Sequence, residues 1–277
     1  MLQDIKLWYK GRMSAVTRRL LGTHVKALVV QSNDYRYLVD PEDYGVGRQL
    51  RLHGSYGEDE LERLRPLISP DSEVLVVGTH VGTLAIPLAG HCKHLSAIEA
   101  NPETFKLLSA NIAINHVENL QAHHMAASDC EQELKFLVNR SNSGGSKIAP
   151  QNKEYQYYYD KPEEITVRGF PLDEKFPEKS FDLIVMDIEG SEYFALRGMQ
   201  GILSRAKTLV VEFVPHHLRN VSNVSVEQFL EPLAMFDQLA IPTLNKQVSK
   251  DQFAPALGEL YQRDQSDDGI IFSKHNS

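Results

Sequence analysis

Cysteine is scarce, with Cys92 and Cys130 the only two in 277 residues. That excludes a disulfide framework, and no Cys/His spacing has the form of a closed zinc site, so a reducing compartment, the cytoplasm, is the expected location. No apolar run approaches the roughly 20 residues that a membrane span needs. The opening stretch MLQDIKLWYKGRMSAVTRRLLG carries basic groups but neither an uninterrupted apolar core nor a small-residue cleavage site, so no signal peptide is expected. The N-x-S triplets beginning at Asn139, Asn220 and Asn223 are then chance matches. Neither G-x-G-x-x-G nor G-x-x-x-x-G-K-[ST] occurs, which disfavours pyrophosphate cofactors and nucleoside triphosphates. Positive charge is in deficit, with a net of −8, which argues against an extended phosphate-backbone footprint and against a nucleic-acid partner.

What is present is 42% hydrophobic residues, enough for one substantial core. Basic charge gathers at one end. Between Met1 and Lys26 lie six Lys/Arg against the single acid Asp4, a net of +5. Leu2, Ile5, Leu7, Trp8, Val16, Leu20 and Leu21 can share much of one helical face there. A helix that packs on the main domain or on a second subunit, as in a homodimer, is the favoured reading of residues 1–38; a membrane-surface role is the weaker one.

From there strand and helix alternate. EVLVV, HLSAIEA, NLQAHHMAA, FDLIVMD, TLVVEFV and GIIFS are short apolar runs of the kind buried in a parallel sheet. Helices are predicted over VGTLAIPLAG, over the segment opened by Asn101-Pro102, over YFALRGMQGIL and over VEQFLEPLAMF. The spacing predicts an open, mostly parallel α/β sheet with helices on both faces and ligands at the strand carboxyl ends. One segment, about 130–169, interrupts the alternation. It holds SNSGGSK, the tyrosines 155, 157, 158 and 159, and period-two stretches ELKFLV and EITVRG, predicting an inserted β or lid element without a convincing helix.

Two clusters carry chemistry. Gly78 and Gly82 frame a strand-to-helix turn, and Glu99 ends the next strand 21 positions after Gly78. Glycines for close backbone approach and a carboxylate for ribose hydroxyls make a nucleoside site. The second cluster is LIVMDIEGSEYF, with Asp187, Glu189 and Glu192 directly behind an apolar run.

VDPEDYGVGRQLRLHGSYGEDELERL, VLVVGTHVGTLAIPLA, SAIEANPETFKLLSANIAINHVENLQAHHMAASD, LIVMDIEGSEYFALRGMQGIL and LVVEF, in this order over about Val39 to Phe213, resemble the FkbM family of S-adenosylmethionine-dependent methyltransferases. The D-x-E-G-x-E element is the most specific part. The resemblance implies a Rossmann-like class I methyltransferase domain over 39–277 with a seven-stranded sheet. It implies Gly78, Thr79, His80 and Gly82 beside the methionine part of S-adenosylmethionine, Glu99 on its ribose next to Ala100, and Ala127, Ser128 and Asp129 by the adenine. The implied activity is methylation of an oxygen on a sugar or other small molecule.

On that footing Asp187 stands where a methyl acceptor meets the donor and can accept its proton or hold its hydroxyl, or touch the donor itself. Glu189 is a second orienting group. Glu192, in the first turn of a helix, is favoured there by the helix dipole and is read as structural. Glu212 and the histidines that follow it, His216 foremost and His217 beside it, join as a base or, with Asp187, as a divalent-metal site gripping a vicinal diol. Three departures from the family pattern stand out: Val76 and His80 replace an Asp and an Asn, and Val185 stands where a Lys is frequent. The implied strand order sets Val76 beside Val185, so an ion pair would be exchanged for an apolar one. The alternatives to a small-molecule O-methyltransferase are a nucleic-acid methyltransferase on the same fold and a catalytically silent binding protein.

Overall fold

The computed structural model of the chain describes residues 2–274; the side chains of Leu2 and Gln3, like Met1 and the last three residues, lie outside that description. Its centre is an eight-stranded sheet. The first core strand Glu73–Val77, second His94–Glu99, third Leu120–His124, fourth Leu183–Met186 and fifth Thr208–Phe213 run parallel. Asp267–Ser273 adds antiparallel to the fifth strand, then Gln238–Ile241, then Lys246–Ser249 at the edge. The six strands read from the sequence are all there; Gln238–Ile241 makes up the seven that the resemblance implied, and Lys246–Ser249 is an eighth.

Valine-rich strands belong here because branched side chains fit a pleated surface covered on both sides. Along the first strand Val74 and Val76 enter one apolar cluster while Leu75 and Val77 enter the other. Each such side chain contributes roughly 1.5–3 kcal/mol when fully buried. Val76 lies directly opposite Val185 in the register, and both are buried, as the implied strand order requires.

Helices form more briefly than the pattern suggests. YFALRGMQGIL is two pieces, Glu192–Arg197 and Gln200–Arg205. They part at Gly198, where a Cβ would fall 1.9 Å from the Ser128 carbonyl oxygen, so close approach of another loop decides the break. The insertion is a small sheet of its own: Gln132–Val138 pairs antiparallel with Glu163–Phe170, flanked by Ala126–Ala127 and Lys147–Ile148. It also contains a one-turn helix, Tyr155–Tyr158, that was not expected.

The N-terminal segment divides. Helix Leu2–Leu21 lies against the insertion, with Ser14 buried, Gly11 next to Tyr159 and Asp160, and Arg18 paired to Glu42 at 3.1 Å. The hairpin Leu28–Ser32 and Tyr35–Val39 instead belongs to the core. Asn111 accepts from the Leu38 amide at 2.6 Å and donates back to its carbonyl at 3.1 Å, and Tyr37 and Val39 are buried. Within residues 1–38, then, the helix packs on the insertion and the hairpin on the core.

Candidate active site

A cavity of about 210 Å³ opens at the carboxyl ends of the first, second and fourth strands. Gly78, Thr79, His80, Glu99, Ala100, Asp187 and Glu189 all line it. Gly82, Ser128 and Asp129 do not. A Cβ on Gly82 would press on the Ile86 and Leu108 side chains at 2.9 Å, so that glycine serves helix packing. Ser128 Oγ accepts from Gln132, Asp129 faces Arg197 at 3.6 Å, and Met125, Ala126 and Ala127 line the wall in their place. Gly78 lines the cavity, yet what makes it a glycine is the fourth strand: at φ +90°, its Cβ would lie 1.7 Å from the Asp187 carbonyl oxygen.

His80 sits in the left-handed region at φ 53°, a conformation that Asn and His adopt more readily than most residues. That shared tolerance explains why a histidine can stand where the family pattern has Asn. Its backbone N–H donates to Glu99 Oε2 at 2.8 Å, which holds the strained turn. Its Nε2 meets Ser143 Oγ at 2.7 Å, and Ser143 donates onward to Asp43 Oδ2 at 3.0 Å. Since Asp43 takes the serine proton, Nε2 carries a hydrogen and Nδ1 is a bare acceptor. Nδ1 is buried without a partner. Burial lowers the His80 pKa, with Asp43 and Glu189 opposing it.

Glu99 Oε1 accepts from the Asn101 amide at 2.7 Å. Burial nonetheless pushes its pKa up to about 7, against the lowering effect of the Asn101, His80 and Ala100 amides. A buried acceptor with amides on one side and a cavity on the other can still receive hydroxyl donors.

The DIEGSE turn gathers the acids. Glu192 Oε1 accepts from the Ile188 and Gly190 amides at 3.0 and 3.1 Å, so it clamps the turn as a structural residue. Glu189 itself has φ 58° and is followed by Gly190 at φ 107°. Glu212 projects from a β-bulge between Val211 and Phe213, a device that re-aims a strand side chain. Carboxylate oxygens of Asp187, Glu192 and Glu212 lie within 4.8 Å of one another. Asp187 is exposed and opens into the cavity. Desolvation first, then Glu189, Glu192 and Glu60, raise its pKa well above the carboxylate range, with Lys147 opposing. Glu212 is raised well above the carboxylate range too, by desolvation first and then by Asp187, Glu189 and Glu192, with Lys147 opposing.

Of the two histidines after the fifth strand, the one whose imidazole enters this group is His217, not the favoured His216. The short helix Pro215–His217 turns His216 toward Tyr157, whose hydroxyl lies 3.0 Å from Nδ1. His217 Nε2 lies 3.3 Å from Glu189 Oε2 and Nδ1 3.5 Å from Glu212 Oε2. Burial, then the neighbouring Lys147, hold His217 well below its ordinary pKa, so it is neutral and these contacts are not ion pairs. The metal set Asp187, Glu212 and His216 is accordingly not brought together; Glu192 takes the place of the imidazole.

Lys147 reaches in from the insertion with Nζ 2.7 Å from Glu189 Oε2, 3.3 Å from His217 Nε2 and 5.1 Å from the Tyr157 ring centre. It supplies the cluster with a positive charge that the fourth strand lacks at Val185. Sequence reading missed Lys147, Asn142, Ser143 and Asp43. Only the unusual polarity of SNSGGSK pointed toward any of them.

A second, more polar cavity of about 300 Å³ lies on the other side of the cluster. Lys147, Tyr157, Tyr159, His216, Glu212 and Asp268 line it, with Leu7 and Lys10 from the N-terminal helix. Asn142 and Glu189 border both cavities.

Strand order and crossovers, with a cavity at the strand carboxyl ends, define a class I methyltransferase fold. The family described as Methyltransferase FkbM domain matches residues 77–238, more than half of the chain. The chain belongs to that family of S-adenosylmethionine-dependent methyltransferases. A curated relative, the probable ribosomal RNA small subunit methyltransferase A of Methanothermobacter thermautotrophicus, is 33% identical over 79 residues, 27% of this chain and 29% of the relative. The match thus spans under a third of that protein's length. Among solved structures, the FkbM methyltransferase of Methylobacillus flagellatus is similar at TM-score 0.45 and 14% identity over 74% of this chain and 44% of that one. An rRNA methylase of Streptococcus thermophilus reaches 0.44 and 12% over 79% and 95%.

Proposed function

We propose that the chain moves a methyl group from S-adenosylmethionine, in the first cavity, to a hydroxyl oxygen of a sugar or similar small molecule in the second. The observation that carries this is the acidic cluster standing between two cavities that share Asn142 and Glu189. The donor fits the residues present. Glu99 would accept from its ribose hydroxyls, His80 Nδ1 offers an unpaired buried acceptor to its amino group, and Met125, Ala126 and Ala127 give an apolar wall for the base. Bound there, S-adenosylmethionine supplies an electrophilic methyl on a sulfonium.

The chain's part is alignment and proton removal. The acceptor oxygen gains the methyl as the carbon–sulfur bond breaks, and its proton passes to a carboxylate, Asp187 first or Glu212 beside it. Desolvation by the surrounding protein and mutual repulsion make the ionised form of either a strong base. Glu189, held by Lys147, orients the acceptor. Glu189, Glu212 and Asp268 along the second cavity favour a hydroxylated molecule over a phosphate backbone, although the relatives include RNA methylases.

Calorimetric titration with S-adenosylmethionine and S-adenosylhomocysteine, with and without a divalent cation, tests the donor site; Glu99→Ala should abolish binding. Asp187→Asn should keep donor affinity and cut turnover at least about 100-fold on a hydroxylated acceptor. Donor binding indifferent to Glu99, or methyl transfer to RNA in preference to hydroxylated metabolites, would defeat the reading.

A further inference from the structure

We propose that the outer face of the N-terminal helix docks the protein on an anionic lipid surface. Along Leu2–Leu21, Ile5, Trp8, Tyr9, Val16 and Leu20 are 57, 54, 54, 45 and 81% exposed. Their spacing of three, four and seven places them on one side of the helix. Leu7, Lys10 and Ser14 occupy the opposite side, toward the insertion and the second cavity, so the outer stripe covers no core of this chain.

The stripe is not simply apolar. Arg12 and Arg19 are exposed on it, and the Arg12 guanidinium lies 5.3 Å from the centre of the Trp8 ring. Guanidiniums interleaved with tryptophan, tyrosine and aliphatic groups match a layer of lipid phosphates above an acyl boundary. A second copy of this face would set arginines against arginines. Charge also gives direction: the segment to Lys26 carries +5 in a chain of −8, so the rest of the molecule is repelled by the surface that attracts the helix.

A consequence follows for the acceptor. Leu7 and Lys10 of the same helix wall the second cavity. A docked helix, about 10–12 Å across, keeps that cavity within one helix diameter of the headgroups. The acceptor then suited to the site is the polar head of an amphiphile. That consequence rests on the proposed methyl transfer; the docking does not.

Trp8 is the single tryptophan, so its fluorescence reports this face alone. With the full chain, vesicles of phosphatidylglycerol and phosphatidylcholine should shift Trp8 emission to the blue and carry the protein down on sedimentation. Vesicles of phosphatidylcholine alone should do neither. The double change Arg12→Glu, Arg19→Glu should weaken sedimentation at least tenfold, as should Trp8→Ala, with circular dichroism and melting temperature unchanged. Added salt should release the protein. Absence of a shift, or equal binding to both vesicles, overturns the proposal. A dimer by light scattering that Trp8→Ala dissociates would give the face to a second copy, and retention by RNA but not by vesicles would give it to nucleic acid. No methyl donor is present in these measurements, so their failure and that of the methyl-transfer reading stay separate.

Discussion

Glu99→Gln should remove the pH dependence that this residue imposes on stability. Glu99 is 7% exposed and its pKa is pushed from 4.5 up to about 7 by burial. The folded chain thus holds this proton more tightly than the unfolded one. Stability from that source is complete below about pH 4.5 and is lost as pH rises through about 7. At about 1.4 kcal/mol per tenfold difference in proton affinity, ionised Glu99 costs the fold roughly 3 kcal/mol by pH 8. Glutamine does not titrate. At pH 5 the variant should be weaker by about 1 kcal/mol, because its amide group faces one of the two backbone donors from His80 and Asn101. The curves should cross, leaving the variant the more stable by roughly 2 kcal/mol at pH 8. Asp187 and Glu212 titrate in both proteins and drop out of the difference. Urea unfolding at pH 5, 6, 7 and 8 measures it. Parallel curves would refute the argument that Glu99 is held neutral by burial.

Three other outcomes are expected. Gly78→Ala should prevent folding or cost more than about 3 kcal/mol, since its Cβ meets the Asp187 carbonyl, whereas Gly258→Ala, with nothing within 4 Å in helix Phe253–Arg263, should stabilise by about 0.5–1 kcal/mol; thermal melts compare them. Val76→Asp should destabilise by about 3 kcal/mol or more, and adding Val185→Lys opposite it should recover at least about 1 kcal/mol in a double-mutant cycle; simple additivity would show the two positions are uncoupled. Lys147→Met should cost about 2 kcal/mol at pH 8, because Glu189 loses its partner among three other acids; an unchanged melting temperature would deny Lys147 that role.

The core was legible because its strands are continuous apolar runs, and Asn101-Pro102 opened its helix as read, Asn101 Oδ1 accepting from the Glu103 amide at 3.1 Å. Lys246–Ser249 was not, because an exposed edge strand reading KQVS has no apolar period to see. The acids announced themselves by sitting together behind a strand. Their partners could not. His216 and His217 are equivalent in sequence, and only the turn after Pro215 decides which ring enters the cluster. Lys147 stands in a two-residue strand whose inward direction is set by pairing Leu137 with Lys147, a contact between segments and not a local pattern. Gly78 and Gly82 stand out in the sequence as a turn, but that both also answer to neighbouring protein atoms is visible only in the fold.

The insertion enters and leaves the domain at one point: Ala126 and Gln132 both pair with Gly169. A segment anchored in this way is an exchangeable cassette, open to replacement during divergence without rethreading the sheet. Its contents make such an exchange a linked event. Lys147 and Tyr157 line the second cavity, but Ser143, from the same cassette, holds the ring of His80 in the first. A descendant that acquires a new acceptor by remodelling this segment therefore inherits an altered grip on its methyl donor in the same step.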